Sequence, residues 1–173
     1  MRTIKFTDLL KLSDDEQKAL KLIFNSDWDY EPSNKGASMN IYLDIDGVIL
    51  GTKSPQKDVV KLIKYILKHY PNSTYWLTTH CKGGVNRCAE WLKQSGFPAD
   101  LVNEMDKIIK PTDWGVMKTE AIDMDQDFIW FDDSLFETER KTLEAYYVLD
   151  GFYRMDPKDP EMAKKALKFL QSL

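Results

Sequence analysis

Residues 41–48, IYLDIDGV, set two aspartates one residue apart at the end of an apolar run and directly before a glycine. Ile41, Leu43 and Ile45 have the β-branched or bulky character of a buried strand, and Gly47 allows a sharp turn where that strand stops. Asp44 and Asp46 therefore project from one strand tip. Like charges so close are costly unless a cation or a proton separates them, so the pair implies a bound divalent metal, a shared proton, or both. Taken alone, the string reads better as a strand end followed by an Asp-Gly turn, because short motifs match by chance. The rest of the chain has to decide.

At 173 residues the chain fits one domain with a real core, and its 43% hydrophobic and 30% charged residues are ordinary for a globular protein. No apolar run approaches membrane-spanning length, and MRTIKFTDLLKLSDDE lacks the uninterrupted apolar core of a secretion signal, so a cytoplasmic location is expected. Cys81 and Cys88 with His80 fall short of a four-ligand zinc site and read as reduced, structural thiols. A net charge of −4 and a pI near 5.3 argue against a broad nucleic-acid footprint, while leaving a local contact open. Lys57, Lys61, Lys64 and Lys68 are scattered over a helix face and read as solvated.

Ser13 and Glu16 have capping-box spacing and predict a short helix over 14–24, followed by a polar arm over 25–39 that carries Trp28 and Tyr30. These 39 residues divide from the region of alternating strands and helices over 40–173. Beyond the first strand, Ser54-Pro55 opens a helix with apolar Val59, Leu62, Ile63, Ile66, Leu67 and Tyr70, ended by Pro71. A strand over 74–77 and a helix over 85–95, closed by Gly96, come next. Residues 101–109 read as a short irregular strand, 114–124 as a helix, 128–131 as a strand, 136–145 as a helix and 146–149 as a strand. Asp159-Pro160 starts a terminal helix through Leu170. Strands alternating with helices over short connections indicate parallel β-α-β units, hence an open α/β sheet with helices on both faces.

In such a sheet ligands bind beyond the carboxyl ends of the strands, so the residues at those tips matter most. The first strand delivers Asp44 and Asp46, the second (YWLTTH) Thr78, and the later FIWFDDS strand Asp132 and Asp133. Lys118 lies near the start of the helix feeding that later strand. Thr79 competes with Thr78, which strand register favours. Lys110 competes with Lys118, which a helical placement would fix better than a loop. His80 and Arg87 read as surface residues, and Trp76, Trp91 and Trp130 as core.

The ordered set of D-x-D-G-V, a strand ending in Thr, a Lys on a helix and a strand ending in Asp-Asp resembles the haloacid-dehalogenase-like (HAD-like) phosphohydrolase superfamily over residues 41–133. The resemblance implies a three-layer α/β/α Rossmann-like fold with a mainly parallel sheet. It also implies a phosphatase in which Asp44 is the nucleophile, forming an aspartyl-phosphate, and Asp46 the general acid/base. Burial and neighbouring acids would raise the pKa of Asp46 toward the working pH. Thr78 and Lys118 would bind phosphoryl oxygens, and magnesium would be held by Asp44, the backbone carbonyl of Asp46 and Asp133, with Asp132 acting through water.

The gaps from Asp44 to Thr78 and from Thr78 to Lys118 leave no room for a cap domain. That resembles the capless members, whose open sites accept large or macromolecular phosphorylated substrates; some with this compact pattern are associated with nucleic-acid end repair, for which the acidic composition gives no independent support. The arm with Trp28 and Tyr30 is a candidate lid. Two alternatives stay open: a catalytically silent binding or regulatory module on the same fold, and a receiver domain phosphorylated on aspartate. The latter usually divides its acids between strands, whereas D-x-D-G puts nucleophile and acid on one.

Overall fold

A computed structural model describes residues 39–51 and 54–173. The helix expected over 14–24 and the arm with Trp28 and Tyr30 lie outside the described residues, as does the domain division at residue 39. Five strands form one all-parallel sheet: β1 (Asn40–Leu43), β2 (Thr74–Trp76), β3 (Lys110–Pro111), β4 (Phe128–Asp132) and β5 (Phe152–Arg154), in the order β3-β2-β1-β4-β5. Five α-helices connect or follow them: α1 (Val59–His69), α2 (Cys88–Gln94), α3 (Ala99–Ile108), α4 (Glu137–Ala145) and α5 (Met162–Gln171).

Because side chains alternate across a strand, the sheet divides its apolar residues between two cores. Ile41 and Leu43 of β1 and Ile129 and Phe131 of β4 join the buried faces of α1, α2, α3 and α5 in the larger core. Tyr42, Phe128 and Trp130 point the other way and pack with Leu77 and with Leu143 of α4. Trp76 and Trp130 are core residues, as the sequence predicts. Among the described residues no helix is long and apolar enough to cross a membrane.

Several elements differ from the sequence expectation, each for a local reason. Helix α1 opens at Val59, not Pro55. Pro55 pairs with Leu50 in an antiparallel bridge, and the Gln56 amide donates to the Ile49 carbonyl at 2.9 Å, which folds this stretch back as a flap. Residues 101–109 are not a strand. Leu101, Val102 and Met105 recur on one helical face and are buried, so the segment becomes α3 and leaves only Lys110–Pro111 to extend the sheet. The helix expected over 114–124 shrinks to a 3-10 turn, Lys118–Ala121. The Glu120 carboxylate takes the amides of Gly115, Val116 and Met117, which holds the preceding backbone in a turn.

The strand expected over 146–149 is replaced by the end of α4. Tyr147 adopts φ 59 and the Val148 amide donates to the Leu143 carbonyl at 2.9 Å, a left-handed helix stop that shifts the strand to Phe152–Arg154. Between β1 and β2 lies one helix and between β2 and β4 two, together with short turns.

Candidate active site

The sheet order reverses direction between β1 and β4, since β2 and β3 lie to one side of β1 while β4 and β5 lie to the other. This is the crevice where an open α/β sheet binds its ligands. Register delivers the acids there. Leu43 pairs with Phe131, and the Asp44 amide donates to the Phe131 carbonyl at 3.0 Å, which brings Asp44 alongside Asp132. On the other flank the Leu77 amide donates to the Leu43 carbonyl at 2.8 Å, which brings Thr78 beside Asp44.

Lys118 bridges the two strand tips. Its Nζ lies 3.0 Å from Asp44 Oδ2 and 2.6 Å from Asp132 Oδ2, and all three side chains are largely buried. The Lys118 amide donates to Glu139 Oε1 at 3.0 Å, while the other oxygen of Glu139 takes the Phe136 amide at 3.1 Å. A buried carboxylate in the first turn of α4 thus anchors the turn that carries the lysine. Lys110, its competitor, donates to the Asn72 carbonyl at 2.7 Å and lies against the Tyr75 ring, away from the acids.

Asp132 is fully engaged. Oδ2 accepts from Lys118 and from Trp130 Nε1 at 3.1 Å, and Oδ1 from the Ser134 amide and hydroxyl at 3.1 and 3.4 Å. Burial drives its carboxyl up to about 6; the charge of Asp44 adds to this and Lys118 opposes it. Burial likewise raises Asp44, against the pull of Lys118 and of the Ile45 amide, which donates to Asp44 Oδ1 at 2.7 Å. Thr78 is wholly buried, and its hydroxyl makes no hydrogen bond of normal geometry even though it lies close enough to Asp44 to lower its proton affinity. Thr79 is exposed.

Asp44, Asp132 and Asp133 each offer a carboxylate oxygen within 4.8 Å of the others. Three carboxylates and the single ammonium of Lys118 leave two negative charges, and the donors are all oxygen. That charge and donor type fit a hard divalent cation. Gly47 completes the pocket wall: it sits at φ 78, where a Cβ would press into the Asp133 carboxyl group.

Asp46 stands apart from this cluster. Its side chain is about half exposed. Oδ2 lies 2.8 Å from His80 Nε2 and Oδ1 accepts from Trp91 Nε1 at 3.2 Å. The burial and acid neighbours expected for Asp46 fall instead on Asp44 and Asp132. Trp91 is not a core residue. It is 40% exposed and stacks on His80 with ring centroids 4.8 Å apart. On α2 the buried side is filled by Cys88 and Leu92, which puts Trp91 at the edge of the apolar face. Cys81 and Cys88 are free and buried beneath this segment. Arg87 is exposed.

Fold and site together define an α/β protein with an acidic crevice at the carboxyl ends of a parallel sheet. The chain matches no family model, and no curated protein or solved structure shows significant similarity to it.

Proposed function

We propose that this chain is a magnesium-dependent phosphatase of the haloacid-dehalogenase-like type, without a cap, that hydrolyses a phosphate monoester through an aspartyl-phosphate. What supports this is the meeting of Asp44, Thr78, Lys118, Asp132 and Asp133, drawn from four separate stretches of chain, at the switch point of a parallel sheet.

Asp44 attacks phosphorus, and the ester P–O bond breaks as the bond to the Asp44 oxygen forms. Asp46 gives its proton to the departing alcohol oxygen. It then takes a proton from the water that attacks the aspartyl-phosphate, releasing inorganic phosphate and restoring Asp44. Thr78 offers its unpartnered buried hydroxyl, and Lys118 its ammonium, to the phosphoryl oxygens. Lys118 also supports the ionised form of Asp44 that nucleophilic attack requires.

Magnesium would be held by Asp44, the Asp46 backbone carbonyl and Asp133, where it would neutralise charge on the transferring group. Asp132, whose oxygens already have four donors, fits a role one water removed from the ion. The short connections after β1 and β2 suit an open site and a large phosphorylated substrate.

Hydrolysis of an aryl phosphate tests the reading. Turnover is expected with magnesium and is expected to vanish in EDTA, and Asp44→Asn should lower it at least about a thousandfold. Activity surviving Asp44→Asn refutes the nucleophile. A wild type inert toward nucleotides, sugar phosphates, phosphopeptides and phosphorylated nucleic-acid ends favours the binding module instead.

A further inference from the structure

Each carboxylate oxygen of Asp46 has its own donor. With Asp46 ionised, His80 Nε2 must donate to Oδ2 at 2.8 Å, while Trp91 Nε1 donates to Oδ1 at 3.2 Å. The donors brace one another, their rings stacked at 24° between planes. They come from different elements: His80 from the turn after β2, Trp91 from α2. The loop between them is folded back by the Arg87 amide donating to the His80 carbonyl at 2.9 Å, over the buried Cys81 and Cys88.

An exposed aspartate needs none of this, because water satisfies it, and an ordinary surface partner would be a long flexible cation worth little. Two flat rings stacked on each other, each with its N–H on Asp46, restrict one another's orientation and so hold the carboxyl in place. Leaving Trp91 part exposed costs apolar burial, which a purely structural tryptophan would recover in the core.

We propose that His80 and Trp91 are positioning residues that clamp Asp46 for proton transfer to the leaving alcohol. The proposal rests on the phosphatase reading. An aliphatic alkoxide is a poor leaving group and departs as the alcohol, so its ester depends on a proton donor held at the bridging oxygen. Nitro-substituted phenolates and acyl groups leave unaided and gain nothing from such a clamp. Each carboxylate oxygen keeps a second lone pair, so Asp46 can carry the proton while both ring contacts persist.

The test compares kcat/KM on ethyl phosphate and on dinitrophenyl phosphate, with magnesium, for wild type, His80→Ala, His80→Gln and Trp91→Phe. His80→Ala should lose about ten- to a hundredfold on the alkyl ester and less than about threefold on the dinitrophenyl ester. His80→Gln, which keeps a donor near the Nε2 position, should recover most of the loss. Trp91→Phe, which keeps a ring and deletes the donor, should fall between. Equal losses on both esters, no loss, or a gain on the alkyl ester overturns the clamp while the phosphatase reading stands. A wild type inert on both esters and on every phosphate ester of the panel above, or an Asp44→Asn variant that retains turnover, overturns the phosphatase reading and the clamp with it. Should His80→Ala fail to fold, the Gln and Phe variants decide by the same selectivity.

Discussion

Asp44 and Asp46 are separated by one residue at one strand tip, and the fold sends them into opposite surroundings. Asp44 enters a crevice with Asp132, Asp133 and Lys118, where Lys118 pairs with Asp44 and Asp132 and burial raises those two carboxyls. Asp46 stays half exposed on a shelf built by His80 and Trp91, where the contacts are ring N–H donors and a stack. Chemically identical side chains are thus held by different physics. In the crevice the arrangement stores unfavourable electrostatics that a cation would relieve; on the shelf it stores orientation. The contrast can be broken by finding that both regions respond alike to losing a partner.

The largest effect should follow removal of the ammonium that bridges Asp44 and Asp132. Lys118→Met strands Asp44 and Asp132 in a poorly solvated pocket, and breaking a buried pair this way costs about 3–5 kcal/mol. The matching deletion on the shelf, His80→Ala, breaks a contact to an exposed carboxylate and should cost about 1 kcal/mol or less. Urea unfolding of both variants at neutral pH in EDTA measures the two side by side. Magnesium should return part of the loss in Lys118→Met, since a cation can replace the missing charge. Equal destabilisation of the two variants would remove the distinction between regions.

The crevice was more legible in the sequence than the shelf, because its residues are set by strand register. A run such as IYLDIDGV or FIWFDDS announces a buried strand, and whatever polar residue follows must stand at the tip; Asp44, Thr78, Asp132 and Asp133 follow from that alone. Lys118 lies where the sequence suggested, but on a 3-10 turn and not a helix. Glu120 and Glu139, which hold that turn, do so through backbone amides that no sequence spacing announces. The shelf depends on a loop closing back on itself, a tertiary event with no periodic signature, so Trp91 read as core. Its one clue was helical spacing: Cys88 and Leu92 already fill the inward side of a short helix. The segments over 101–109 and 146–149 failed for a related reason. Short apolar runs suit helix and strand equally, and packing chooses.

A smaller effect separates the regions by pH. In the metal-free protein burial raises Asp44, and Asp132 up to about 6, above ordinary carboxyl values. At Asp44 and Asp132 the folded state therefore binds more protons than the unfolded chain between roughly pH 4 and 6, so these two sites lower stability as pH rises through that window, against surface acids such as Glu120 and Glu161 whose ion pairs and amide donors hold them below their usual values. The drop from the two buried sites should be on the order of 1–3 kcal/mol, read from urea midpoints in EDTA across the window. Asp132→Asn should flatten the slope, and saturating magnesium, which binds the ionised acids, should flatten or invert it. A wild type whose slope across this window matches that of Asp132→Asn would contradict the burial of that acid.

The smallest effect belongs to the residue joining the two regions. Gly47 follows Asp46 and faces Asp133; at φ 78 an L side chain costs about 1–2 kcal/mol, and a Cβ there would lie 2.6 Å from Asp133 Cγ. In Gly47→Ala the Asp133 carboxyl must swing away from Asp44, so magnesium affinity should fall about tenfold, in line with displacing a group that orients a metal site. His80 and Trp91 reach Asp46 from the turn after β2 and from α2, and the three atoms nearest the added methyl all belong to Asp133. Selectivity between ethyl and dinitrophenyl phosphate at saturating magnesium should therefore stay at the wild-type ratio. Calorimetric titration with magnesium alone, run beside that ratio, resolves the crevice from the shelf in a single variant. Unchanged magnesium affinity would mean that Asp133 takes no part in holding the ion, and a shifted ratio would mean that the shelf is not independent of the crevice.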